Sequence, residues 1–164
     1  MQIGALKTII SSQLGAALKM LENAVGSCSD ELWNDSSLPK PFWYLAYHTL
    51  FFFDLYLSES PKGFKPPLPF SLSEMDPKGV MPERIYSRKE LLEYLEYGRT
   101  KAKASIEALT EESALENCGF RWVGVSVAEL FFYNARHVQH HAAQLNLLMR
   151  QKMSTAPKWV FKAE

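Results

Sequence analysis

Cysteine is scarce in this 164-residue chain: Cys28 and Cys118 are the whole complement, too few for the disulfide framework of a small secreted domain. Nothing in the first residues resembles a secretory signal, and with the shortage of cysteine this gives a cytoplasmic expectation. No apolar run reaches the roughly 20 residues of a membrane helix. The strongest, Phe42 to Leu57, is interrupted by His48 and Asp54, so no membrane partner is expected. Charge of one sign is not in excess, because 18 Lys plus Arg balance 18 Asp plus Glu. Nucleic-acid binders carry a basic surplus, and that class falls away. Also missing are a Gly-x-Ser-x-Gly elbow, a glycine-rich phosphate loop and a Cys-x-x-Cys pair, which leaves serine hydrolase, nucleotide-binding and thioredoxin readings without support.

Apolar residues are plentiful, at 47%, and aromatics make up 13%, a composition that suits one compact domain over residues 1–164. Four segments carry helical periodicity. Ile3, Leu6, Ile10, Leu14, Ala17 and Leu21 recur every three or four places and predict a first helix over about 3–25, with a short helical piece around Asp30 to Trp33. Pro41 opens a second over about 41–57, proline being tolerated in a first turn. Ser87 with Glu90 forms a capping box ahead of a third, over about 88–109, on which Gly98 and Ala102 let bulky aromatics pack closely. Ser126 with Glu129 forms another, and the fourth helix runs free of glycine and proline over about 126–151, roughly 38 Å in length. Between the second and third, Ser58 to Tyr86 holds six of the nine prolines and reads as a long, stiff, proline-rich crossing. Its Pro66-Pro67-Leu68-Pro69 fits a PxxP ligand, though a connector is the simpler reading. The tail from Met153, with Trp159, Val160 and Phe161, is expected to dock on the surface. The class is all-α, a four-helix bundle.

All four histidines fall inside predicted helices: His48 in the second, His137, His140 and His141 in the fourth. At about 100° per residue, His137 and His141 are offset by about 40° and sit one turn apart, so both imidazoles can reach one point. Their stripe, Leu130, Tyr133 or Asn134, His137, His141, Gln144 and Leu148, is expected to face inward. His48 is framed by Tyr44, Leu45, Phe52 and Leu55. Three imidazoles from two helices suit one divalent ion of borderline softness, such as zinc, nickel or iron, and leave positions open for water or substrate. A lone buried histidine is more often a core residue bonded to a carbonyl; the clustering of these three favours the metal. Gln144, Asn134 and Tyr44 are candidate supporting residues around the ligands. His140 points about 60° away, toward a helix partner or solvent.

Neighbouring chemistries fail on residue type. In His137-Val138-Gln139-His140-His141 a valine stands where a zincin needs its glutamate base, and no glutamate precedes these histidines by three places as a di-iron bundle requires. No side chain is identifiable as a general base: Asp54 lies nearly two turns beyond His48, and Glu129 is committed to its capping box. Phe51, Phe52 and Phe53 fan over about 200° of the second helix, so something outside one core must cover them. The crossing, through Phe64, Leu68, Phe70 and Leu72, is one candidate, and a homodimer built partly on this helix is the favoured one.

The string Arg136-His137-Val138-Gln139-His140-His141-Ala142-Ala143-Gln144-Leu145 resembles the His-x-x-His-His-Arg-Gly-Gln-Leu segment of the DinB-like superfamily, which includes YfiT-like proteins. Trp43-Tyr44-Leu45-Ala46-Tyr47-His48 is similar to the family's other histidine segment, about 90 residues upstream, and the order of elements matches over nearly the full chain. The resemblance implies a four-helix bundle with one divalent metal on three histidines, here His48, His137 and His141. It also implies a reaction class, since the family includes thiol-dependent transferases and isomerases. Ala142 and Ala143 replace the family's Arg-Gly pair, which removes a cation beside the site. The expected function is therefore a metal-dependent enzyme activating a water or a low-molecular-weight thiol for attack on a small electrophile. The alternative is a non-catalytic metal-binding or stress-associated interaction protein whose ion ties two helices together.

Overall fold

The computed structural model describes residues 2–163. Among them are six α-helices: α1 (Ile3–Ser27), α2 (Asp30–Trp33), α3 (Phe42–Leu55), α4 (Arg88–Ala108), α5 (Glu111–Leu115) and α6 (Val127–Met153). No strand occurs among the described residues beyond one isolated antiparallel bridge, Asn117 to Ser126, so the class is all-α. None of the helices is long and apolar enough to cross a membrane.

The caps that the sequence advertises set where the helices begin. Ser87 accepts from the Glu90 backbone while Glu90 reaches back to the Ser87 N–H, so α4 starts on a complete capping box. Ser126 caps α6 in the same way, but the Glu129 side chain does not return the bond, and only half of that expected box exists. α6 ends where Ser154 takes a left-handed conformation, with Arg150 and Lys152 in the last turn to offset its dipole. α5 has its own box from Thr110 and Ser113.

Each of the four long helices packs against two others: α1 on α6 and α4, and α3 on the same pair. α1 contributes Ile10, Leu14, Ala17 and Leu21, as its periodicity requires. None of the residues of α3 is exposed, and only Leu45, His48 and Phe52 are half-buried. Its three consecutive phenylalanines find their partners within the chain. Phe51 meets Phe64 edge-on at 5.4 Å, Phe52 lies 4.9 Å from His48, and Phe53 presses on Gly98, where a Cβ would stand 2.6 Å from its ring. These contacts within the chain account for the fan from which a homodimer was expected.

Residues 56–87 form no α-helix and lie over α3, with one 3₁₀ turn at Ser73–Met75. Phe70 stacks on Tyr94 at 4.3 Å, and Tyr86 is buried against Tyr47 at 4.8 Å. The Tyr47 hydroxyl donates to the Ser71 carbonyl, and the Trp33 indole to that of Tyr86. Phe64 and Phe70 do the covering expected of this segment; Leu68 (94% exposed) and Leu72 do not. The tail follows α1, through Ala163 N–H to the Ser12 carbonyl, yet Trp159 and Phe161 remain exposed.

Candidate metal centre

His48 comes from the middle of α3, and His137 and His141 from the middle of α6, the helix packed against it. One ligand atom from each of the three lies within 4.8 Å of the others. Ring centroids are 4.6 Å apart for His137 and His141, 4.9 Å for His48 and His141, and 5.7 Å for His48 and His137. Nitrogen ligands about 2.0–2.1 Å from one tetrahedral ion stand about 3.4 Å from one another, which small side-chain rotations reach from this spacing.

The stripe that carries the histidines is not the most buried line of α6. That line runs through Asn134, Val138, Ala142, Leu145 and Met149, while His137 and His141 are half-buried at its edge and Gln144 is exposed. The expectation of an inward-facing stripe is corrected accordingly: small and aliphatic side chains fill the centre and leave the imidazoles at the margin. Ala142, at the family's arginine position, is wholly buried and belongs to the core.

Two of the three rings have a hydrogen-bond partner on Nδ1, and the third has none. His48 Nδ1 lies 2.6 Å from Glu74 Oε2, and a ring that donates from Nδ1 to this carboxylate keeps Nε2 out of the bond. His141 Nδ1 is 2.7 Å from Gln144 Oε1, which leaves Nε2 free there too. His137 Nδ1 is buried with no hydrogen-bond partner. An orphaned imidazole nitrogen is costly in a purely structural cluster. Burial pushes His137 down to about 3, helped by His141, His48 and His140, and takes His141 down to about 4 against the opposing bond from Gln144. Both rings are therefore neutral near pH 7, as nitrogen ligands must be. Neutral imidazoles, free Nε2 atoms and an unpartnered nitrogen fit a borderline divalent ion, and the group could hold one.

Aromatic rings wall the site. Phe52 lies 4.9 Å from His48 and 5.9 Å from His137, and Tyr56 lies 6.3 Å from His137. Tyr44 packs 6.4 Å from His48, its phenol pushed up by burial and by the nearby Glu74 carboxylate. Asn134 does not touch the histidines; its amide donates to the Phe53 carbonyl and ties α6 to α3. His140 is exposed beside His141 and outside the group. Cys28 is buried at the end of α1, where desolvation raises its thiol to about 12, and it takes no part. Asp54 is engaged by Lys101 and Tyr94 instead of the histidines. Glu74 is the residue that sequence reasoning missed, because it sits in an aperiodic segment where no spacing relates it to α3.

No curated protein and no solved structure matches the chain. A family model does: the one described as the DinB superfamily matches residues 13–145, a span that includes all three histidines, and the chain belongs to that superfamily.

Proposed function

We propose that this chain is a metal-dependent enzyme built as a four-helix bundle, with residues 56–87 as its crossing, in which His48, His137 and His141 hold one zinc, nickel or iron ion. The observation that carries the reading is the grouping of three imidazoles within 4.8 Å, with no fourth ligand in the group among the described residues. A structural zinc site is closed by four protein ligands, whereas a catalytic one keeps a position for water or substrate. A divalent ion here would supply Lewis acidity, favouring deprotonation of a water or small thiol at neutral pH.

The chain's own residues orient and shield that chemistry. Glu74 and Gln144 fix two rings with Nε2 available, and Phe52 and Tyr56 keep bulk water from one side. An open depression of about 610 Å³ against His137, bordered by Tyr133, Arg136, His140 and Trp159, offers an approach for a small molecule. A low-molecular-weight thiol suits a group in which no carboxylate other than that of Glu74 touches the histidines among the described residues, since a thiol ionises without a base more readily than water does. The thiol assignment follows the family's activities, and the buried Ala142 means that any charged recognition of substrate comes from elsewhere.

Protein prepared without a histidine tag should contain about one divalent ion per chain by elemental analysis. The double variant His137→Ala, His141→Ala should lose it, and undiminished metal in that variant would overturn the assignment. For catalysis, metal-loaded protein offered small thiols with a model electrophile should turn over faster than His48→Ala. Equal rates would leave the ion as a tie between α3 and α6.

A further inference from the structure

Among the described residues, the only acidic side chain bonded to the three histidines comes from neither of their helices. Glu74 stands on the 3₁₀ turn Ser73–Met75, within the long segment between α3 and α4. Its side chain is 5% exposed although much of the segment around it is open to solvent. Oε2 binds His48 Nδ1 at 2.6 Å, and Oε1 is buried without a partner. A carboxylate is rarely buried for packing, because its desolvation is costly unless a charge or strong donor offsets it. The neighbours of the turn account for its position: Tyr47 donates to the Ser71 carbonyl, the Ser71 N–H donates to the Tyr86 hydroxyl, and the Ser71 hydroxyl donates to Ser73. These bonds hold the chain just before Glu74 to α3 and to Tyr86, and bring its side chain to His48.

We propose that Glu74 is a positioning residue for the metal site: its bond to His48 Nδ1 holds that ring with Nε2 toward His137 and His141, so that a bound divalent ion and the docked segment 56–87 stabilise each other. This rests on the three-histidine reading and extends it to a residue and a segment outside the two ligand helices. A carboxylate on the far nitrogen fixes the tautomer and raises the basicity of a ligating imidazole, and loss of such a partner lowers metal affinity about 10–100-fold. Linkage is reciprocal, so whatever Glu74 adds to ion affinity the ion adds to the docking of the segment.

The test is a cobalt titration of wild type, Glu74→Gln and Glu74→Ala against a competing chelator, with visible spectra of the bound cobalt and circular dichroism of the metal-free proteins as a fold control. Glu74→Ala should bind cobalt about 10–100-fold more weakly with a shifted spectrum, and Glu74→Gln, which keeps an acceptor without the charge, should fall between. In parallel, cobalt should slow tryptic cleavage after Lys78, in the same segment, in wild type and not in Glu74→Ala. Wild-type affinity and an unchanged spectrum in Glu74→Ala would overturn the proposal while leaving the three-histidine site intact. Failure of wild type itself to bind cobalt would remove the metal reading and this inference with it.

Discussion

Gly98 measures how closely α3 and α4 approach, since a Cβ there would stand 2.6 Å from Cε1 of the fully buried Phe53. Gly98→Ala gains about 1 kcal/mol of helix propensity but forces a ring with no room to retreat, at about 1–3 kcal/mol. Urea melts should show a net loss of about 1 kcal/mol, and the same substitution in a Phe53→Leu background should be neutral or stabilising. A loss that persists in that background would place the strain elsewhere. The small residue at position 98 was legible from sequence as an allowance for aromatic packing, and the histidines were legible because helical period alone relates His137 to His141. The rest of the site was not. Glu74 reaches His48 through a turn whose path depends on Tyr47 and Tyr86, and no local pattern encodes a bond between residues brought together by tertiary packing. Asn134 shows the converse: its place on the histidine stripe suggested a contact, but its amide finds the Phe53 carbonyl first.

Among the elements, the long helices stand close to where capping residues and periodicity put them, because Ser87, Ser126 and Pro41 each mark a start that the backbone uses. α5 escaped notice because five residues between turns carry too little periodicity to register. α3 and α4 are joined by a polar tie that hydrophobic patterning does not reveal. Asp54, wholly buried, receives Lys101 at 2.6 Å and the Tyr94 hydroxyl at 3.0 Å. Burial holds this carboxyl above its ordinary 3.8, with Lys101 opposing the rise. Lys101→Met leaves the carboxylate buried with only Tyr94 for company and should cost about 3 kcal/mol at pH 7, the lower end for a broken buried pair. Without Lys101 the folded-state pKa rises further above the unfolded one. The deficit should therefore be smallest below pH 3.8, where Asp54 is protonated folded or unfolded, and should grow as pH rises through the folded value. Denaturant melts at about pH 3.5 and pH 7 check the sign, and an equal deficit at both would show that Asp54 is not the group responsible.

At the scale of the whole molecule, the aromatic wealth of α3 is accounted for by burial on every side, by α4 and α6 and by residues 56–87. A helix buried to this extent offers little of the continuous apolar surface patch that an isologous interface needs. The large apolar side chains that do remain exposed are spread over the surface: Ile9 on α1, Leu68, Leu72, Met75, Val80 and Ile85 along the segment between α3 and α4, Tyr97 on α4, Leu115 on α5, Trp122 in the loop after it, Phe132 and Leu147 on α6, and Trp159 and Phe161 on the tail. Single exposed side chains of this kind are ordinary on a monomer's surface, and a stable dimer needs about 800 Å² of complementary surface on each partner. Light scattering at micromolar concentration should accordingly return the 18.7 kDa of one chain. A doubled mass that survives Leu147→Glu and Trp159→Ser, taken singly and together, would show that the chain associates through a surface other than that around Leu147 and Trp159. A doubled mass abolished by either would instead assign the interface to the outer face of α6 or the tail, beside the depression that leads to His137.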